Sequence, residues 1–195
     1  MKTKHLYFFL PALALFFTAS AQAGAYQIDQ DHSQVGFQIR HLVGKVKGHF
    51  AQFEGDITID DKKISNSKFL AKIKTASIDT NSKKRDDHLK GTDFFDVDQF
   101  PLITFESTKI SGSSKNMMID GNLTIRGVTK PVKLKATHNG TGTDPWGNER
   151  IGLSATGKIN RKDFGMNWNK ALDKGGVMLG DDVDLTIEVE GIAKK

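Results

Sequence analysis

Apolar residues recur at every second position through most of the chain after residue 24. This period is typical of β-strands, whose side chains alternate between the two faces of a sheet. Eight such runs can be counted, and the positions between their apolar residues are mostly polar. The apolar positions are, in chain order, Val35, Phe37 and Ile39; Phe50, Phe53, Ile57 and Ile59; Phe69, Ala71 and Ile73; Ile103 and Phe105; Met117, Ile119, Leu123 and Ile125; Val132, Leu134 and Ala136; Ile151, Leu153, Ala155 and Ile159; and Val183, Leu185, Ile187 and Val189. The alternation fails between Gln52 and Gly55, which predicts a β-bulge within the second strand.

Eight strands with one apolar face each, and no amphipathic helix to cover them, can form either a sandwich or a barrel. Alternation alone does not separate these two folds, because inward residues alternate in both. A barrel is favoured because closure removes the exposed edges of long strands. Eight strands enclose an interior that either fills with side chains or holds one slender ligand. The predicted fold is therefore all-β, an eight-stranded antiparallel barrel with a short helical cap.

The cap is predicted from residues 81–105, the stretch that interrupts the strand pattern. Its first half is polar and helical in character, with capping oxygens before it and Gly91 where a helix of about two turns would end. Such a short polar helix needs other contacts to hold it, and Phe94 and Phe95 follow it directly. Within it, Asp86 is expected to pair with Lys90.

Arg85, Asp86, Asp87 and His88 form a tempting catalytic cluster inside this cap. Consecutive helical residues point in different directions and cannot converge on one atom. We therefore expect Arg85 to dock the cap by pairing with a carboxylate, with a contact to a ligand head group as the less favoured alternative.

A long connection, residues 163–182, joins the last two strands and contains seven large apolar residues among glycines. Connections of this length are usually functional or disordered, and the apolar content argues against disorder. It is either a plug that fills one end of the barrel or a mobile lid over an apolar ligand. Residues 144–147, Asp-Pro-Trp-Gly, predict a turn with Trp146 packed over it.

The N-terminus carries Lys2 and Lys4, then an apolar run over residues 6–17, then Ala21-Gln22-Ala23. This order is typical of a secretory signal peptide, so residues 1–23 are predicted to be cleaved and residues 24–195 to form one domain in the periplasm. The apolar run is too short to span a bilayer, and no later segment reaches the required length. The chain has no cysteine, which excludes a lipid-anchored cysteine and disulfides.

Charge and motifs exclude several functions. Two of the 28 basic residues lie in the leader, so 26 remain against 23 acidic residues, and no basic run with interleaved aromatics suggests nucleic acid. The sequence 152–156, Gly-Leu-Ser-Ala-Thr, lacks the closing glycine of a nucleophile elbow. The histidines show no metal-ligand spacing. We expect no catalytic residue, no metal and no covalent cofactor.

Eight short motifs resemble the YceI family of secreted, lipocalin-like polyisoprenoid-binding proteins, and they occur in the family's order over nearly all of the chain after the leader. They are TASIDTN at 75–81, RDDHL at 85–89, DFFD at 93–96, FPLITF at 100–105, GNLTIRGVTKPV at 121–132, DPWG at 144–147, INRKDFGM at 159–166 and VDLTIEVEG at 183–191.

This resemblance implies an extended barrel whose internal tunnel holds the tail of an amphiphilic lipid, such as a quinone tail or an isoprenoid pyrophosphate. The expected function is a carrier, with an enzyme acting on such a lipid, or a self-filled barrel acting as an envelope interaction protein, as alternatives. The sequence leaves open the identity of the lipid and whether the chain forms a homodimer. Combining inward strand residues with apolar residues of the cap and the long connection gives the expected ligand-binding set: Phe37, Ile39, Phe50, Phe53, Phe69, Ile73, Phe94, Phe95, Phe105, Leu123, Ile125, Phe164, Met166 and Trp168. The polar faces, represented by Arg40, Lys72 and Thr124, are expected to face water.

The leader generates the first testable prediction. Because a signal peptidase cleaves after small residues such as those at 21–23, the exported protein should begin at Gly24. N-terminal sequencing of protein from fractionated cells measures this directly. An intact Met1 on a membrane-bound protein would contradict it.

Overall fold

A computed structural model describes residues 23–173 and 175–194. The predicted signal peptide, residues 1–23, lies almost wholly outside these residues, so both it and the domain boundary after it stay predictions. The described chain contains ten strand segments and one α-helix. The elements are β1 (Gly24–His41), β2 (Gly44–Phe50), β3 (Phe53–Ile59), β4 (Lys68–Lys74), β5 (Ile78–Asp79), α1 (Lys83–Lys90), β6 (Leu102–Ser113), β7 (Asn116–Ile125), β8 (Val128–Thr143), β9 (Glu149–Asn160) and β10 (Leu179–Ala193).

The strands form one closed antiparallel barrel with eight positions around its circumference. β6 to β10 pair in chain order, and β10 closes the barrel by pairing with β1 along most of its length. The other edge of β1 is shared: β2 pairs with residues 35–41 and β3 with residues 24–27. β4 then pairs with β3, and β5 with β2. The predicted fold, an eight-stranded antiparallel barrel with a short helix, is confirmed.

The second predicted strand differs from the expectation. The structure does not have one bulged strand; β2 ends at Phe50 and β3 begins at Phe53. The backbone between them bonds to the turn before β5 instead, with Ala51 N donating to the Ser77 carbonyl at 3.0 Å and Gln52 N to Ser77 Oγ at 3.0 Å. Ser77, which accepts these backbone hydrogen bonds, is distant in sequence. The pattern around residues 50–53 therefore does not indicate that the strand ends here.

Two groups of buried apolar side chains divide the barrel interior along its axis. The group at the end opposite α1 is a packed core that includes Tyr26, Met117 and Ile151. The group on the α1 side contains several of the inward phenylalanines together with Phe94 and Phe164. The end opposite α1 is therefore filled, and the apolar interior continues from there to the helix.

At the filled end, Arg150 of β9 connects three parts of the wall. Its Nη1 lies 2.6 Å from Asp29 Oδ2 on β1 and 3.1 Å from Glu190 Oε2 on β10, and its Nε lies 3.0 Å from Asp144 Oδ2 in the turn before β9. Burial raises the pKa of Asp29, but hydrogen bonds from Arg150 and His32 outweigh it and hold the pKa below its usual value. Asp144 accepts bonds from Asn148 and Arg150, and its pKa is also lowered. Arg150 thus stabilises the charged carboxylates where β1 and β10 close the barrel.

This network predicts a pH dependence of stability. The folded pKa values of Asp29 and Asp144 lie below the usual value of 3.8, so the stabilisation they provide is complete above about pH 5 and is lost as the pH falls. Arg150→Met should lower the melting temperature at neutral pH and reduce the further loss between about pH 5 and about pH 2, because the folded pKa values then rise. Thermal melts across this range measure both effects.

Lys158→Met is the matched control, since Lys158 makes exposed pairs with Asp184 at 3.4 Å and Asp182 at 3.9 Å. Equal acid sensitivity of wild type, Arg150→Met and Lys158→Met would show that the Arg150 network does not set the pH dependence.

Candidate functional site

A cavity of about 340 Å³ extends through the barrel interior from the α1 side to members of the opposite apolar group, such as Met117 and Leu153, and its lining is almost entirely apolar. Thirteen of the fourteen residues expected to bind a ligand line it; that they contact a ligand stays a prediction. They are Phe37, Ile39, Phe50, Phe53, Phe69, Ile73, Phe94, Phe95, Phe105, Leu123, Ile125, Met166 and Trp168. Of the residues expected to face water, Arg40 and Lys72 are exposed and Thr124 is half-buried.

Phe164 is the expected site residue that the structure places elsewhere. It is 1% exposed and packs within the apolar group on the α1 side, but it does not line the cavity. It lies in a short 3₁₀ turn, Arg161–Phe164, that ends at Gly165 with a φ of 77°. Its side chain follows the turn and supports the wall, so the cavity gives no support to its place in the expected ligand-binding set.

Two glycines make room for aromatic rings that face the cavity. A Cβ on Gly48 would lie 2.5 Å from Phe37 Cζ, and a Cβ on Gly121 would lie 2.4 Å from the ring of Phe105. Any larger residue at either position would push a ring into the cavity. Sequence reasoning missed both residues, although a glycine within a strand is itself a sign of close approach.

The mouth of the cavity lies beside α1, because Arg85 and His88 line the cavity and are also exposed. Arg85 does not pair with a carboxylate: its Nε donates to Thr80 Oγ1 at 2.8 Å and its Nη2 to the Thr80 carbonyl at 2.7 Å. Asp86 likewise does not pair with Lys90; it accepts hydrogen bonds from the backbone and hydroxyl of Thr80. Both expected pairs are wrong, because the chain before the helix curls back and offers closer partners.

Residues 163–168, the first part of the long connection, are organised around Arg161, which lies just before them. This side chain is buried, with the residue 2% exposed. Its Nε donates to the Gly180 carbonyl at 2.9 Å, and its Nη1 donates to the carbonyls of Met166 and Trp168. Its Nη2 lies 3.0 Å from Asp181 Oδ1. Burial lowers the pKa of Arg161, while the Asp181 carboxylate opposes that change.

These bonds place Trp168 against the cap. The Trp168 ring lies 4.9 Å from the His88 ring and 5.4 Å from the Phe94 ring, centroid to centroid, and the contact with His88 is edge-to-face. His88 in turn packs edge-on against Phe94 at 5.1 Å. The connection therefore covers part of the mouth, and the three rings join it to α1 and the turn after it.

Two further sequence expectations concern the opposite end. Residues 144–147 form the expected turn, but Trp146 is 80% exposed and does not pack over it. Asp29, His32 and Glu190 place three ligand atoms within 4.8 Å of one another, the kind of group that can hold a metal. The Arg150 guanidinium donates to both carboxylates, so the positive charge beside them is that of the arginine side chain.

Among the described residues, no helix combines the length and the apolar character needed to cross a bilayer.

The fold and the cavity define a class, a closed antiparallel barrel with an internal apolar cavity and a short helical cap at its mouth. The YceI-like domain matches residues 26–191. Protein YceI of Salmonella arizonae is 43% identical over 195 residues, covering 98% of this chain and 99% of that protein. The chain belongs to the YceI family.

Solved structures agree with this assignment. The crystal structure of the Campylobacter jejuni YceI protein is 34% identical, covers 80% of this chain and 90% of its own, and superposes with a TM-score of 0.69. A polyisoprenoid-binding domain from Saccharophagus degradans has the same fold at 15% identity, with a TM-score of 0.65 over 88% of this chain and 99% of its own.

Arg161 generates a testable prediction. Arg161→Met removes the donor to three carbonyls, two of them buried, so it should lower the free energy of unfolding by about 3 kcal/mol and expose Trp168 to solvent. Denaturant unfolding and tryptophan fluorescence measure the two effects. Lys162→Met is the matched control, because Lys162 makes an exposed pair with the same Asp181 at 2.9 Å and should cost less than about 1 kcal/mol. Equal costs for the two variants would mean that Arg161 does not organise the connection.

Proposed function

We propose that this protein is a periplasmic carrier that holds the tail of a long-chain isoprenoid, or of a similar amphiphilic lipid, inside the barrel. The observation that carries the proposal is an apolar cavity of about 340 Å³ inside a closed wall, with exposed polar residues at its mouth. A tail can bury its methylene groups in such a space while its head group stays near water. The periplasmic location rests on the sequence of residues 1–23.

Burial of the tail supplies enough free energy without a strong head-group contact. A chain of about 20 carbons gains a gross amount near 16 kcal/mol at about 0.8 kcal/mol per methylene, of which ordering and association costs remove a large part. The isoprenoid class is supported by the Saccharophagus degradans domain of the same fold, which is a polyisoprenoid-binding domain. Quinone tails and isoprenoid pyrophosphates are the ligands we expect.

Carriage fits the polar residues of the mouth better than catalysis does. A reaction site needs several free polar groups that converge on one atom. Arg85 donates to Thr80, and Arg161 uses its donors on backbone carbonyls and Asp181. These groups hold the cap and the long connection in place, so we infer that they do not transform a substrate.

A variant that fills the cavity tests the proposal. Ile73 lines the cavity from β4, so Ile73→Trp should occupy the volume a tail needs and weaken lipid binding by at least about tenfold. The open space can accept the ring, so the melting temperature should change little. The affinity is measured by titration with a fluorescent isoprenoid analogue, and the melting temperature is measured on the same variant.

Lys72→Trp is the matched control, since the neighbouring Lys72 is exposed on the outer face of the same strand. It should bind the analogue like wild type. A wild-type protein that binds no lipid, combined with an Ile73→Trp variant that loses about 1 to 3 kcal/mol through overpacking, would instead favour a self-filled barrel.

A further inference from the structure

The β1–β2 hairpin borders the mouth of the cavity and projects beyond it. His41 at the end of β1 and Val46 in β2 both line the cavity. The two residues that connect the strands are Leu42, which is 42% exposed, and Val43, which is fully exposed. The hairpin therefore carries two large apolar side chains into solvent next to the opening.

These residue types do not suit the turn. Two-residue hairpin loops favour Asn, Asp and Gly, because their backbones adopt positive φ angles easily. Leu42 has a φ of 52°, which a leucine adopts only at a cost in free energy. The side chains add nothing to the core in return. A contact outside the barrel is the remaining physical reason for apolar residues here.

The apolar surface continues onto the long connection. Leu42 N donates to the Met178 carbonyl at 2.8 Å, which fixes the connection beside the hairpin tip. Val177, the preceding residue, is 40% exposed, and Met178 lines the cavity. We call Leu42, Val43 and Val177 the tip surface.

The sequence around the hairpin tip is basic. No Asp or Glu occurs in the sequence between Asp31 and Glu54, a stretch that includes Arg40, Lys45 and Lys47. Arg40 donates to the Leu42 carbonyl at 3.1 Å and has no carboxylate within ion-pair distance among residues 23–173 and 175–194. Lys45 lies 3.4 Å from Asp184, and both side chains are substantially exposed, so the pair neutralises Lys45 only weakly.

We propose that the tip surface docks the mouth of the cavity against a lipid bilayer that contains anionic phospholipid. Apolar side chains that enter the interface, flanked by cations that face phosphate groups, are the chemistry by which proteins bind such surfaces reversibly. Docking would place the mouth at the membrane, where a tail could pass between bilayer and barrel without crossing water. This inference rests on the carrier function proposed above.

The other end of the barrel supplies a control of the same type. Trp146 is 80% exposed, but it lies at the turn between β8 and β9, at the opposite end of the barrel from the mouth. Tryptophan favours membrane interfaces, yet a molecule docked by its mouth would hold this turn away from the bilayer. Removing Trp146 should therefore leave docking unchanged.

The experiment is cosedimentation of the purified protein with vesicles of phosphatidylglycerol and phosphatidylethanolamine, compared with phosphatidylcholine alone. Leu42→Asn/Val43→Ser should weaken binding to the anionic vesicles on the order of tenfold, since it removes two apolar side chains from the interface. Asn suits the positive φ, so the melting temperature should not fall. Arg40→Gln/Lys45→Gln should weaken binding on the order of tenfold at low salt and little at high salt. Trp146→Ala should match wild type.

The proposal is overturned if wild type does not bind the anionic vesicles, if the Leu42→Asn/Val43→Ser variant binds like wild type, or if Trp146→Ala abolishes binding. Titration with the isoprenoid analogue in the absence of vesicles distinguishes a failure of membrane docking from a failure of the carrier function. Leu42 and Val43 do not line the cavity, so their variant should retain the isoprenoid analogue. Ile73→Trp should show the reverse, with lost tail binding and preserved docking.

Discussion

The arrangement of the mouth depends on one buried cation, Arg161. Its guanidinium donates to the carbonyls of Gly180, Met166 and Trp168 and pairs with Asp181. The Met166 and Trp168 carbonyls belong to a segment outside the strands, and leaving them without a donor would be costly. A buried ion pair adds little net stability, because desolvation offsets attraction. The value of Arg161 is instead geometric, since five donors in a fixed plane hold the connection in one path and so set Trp168 against His88.

The sequence was most informative where structure is local. Alternation along β4 and β7 placed Ile73, Leu123 and Ile125 toward the interior, because a strand directs every second side chain to the same face. It was least informative where distant segments compete for a hydrogen bond. The break between β2 and β3 exists because Ser77 supplies its partners, and Arg85 finds Thr80 rather than a carboxylate. Neither choice could be predicted from neighbours in sequence.

Other differences have similar origins. The first half of β1 is polar, so periodicity missed it; residues 24–27 are held as a strand by pairing with β3 and β10. Phe164 sits in a 3₁₀ turn where period two does not apply, and it supports the wall instead of lining the cavity. Trp146 is exposed, although a large aromatic residue beside a turn is expected to pack over it. In each case tertiary contacts override the local signal.

The difference between the two ends of the barrel decides how a carrier of this shape could exchange its ligand. Most of the wall is closed by backbone ladders, and opening it there would break many backbone hydrogen bonds at once. The opposite end is packed with apolar side chains and closed by the Arg150 network. The mouth is covered by α1 and by a connection held by three rings, the Arg161 guanidinium and a backbone bond from Leu42. Opening there breaks the fewest interactions, so a tail would enter and leave past Trp168 and His88, beside the apolar hairpin tip.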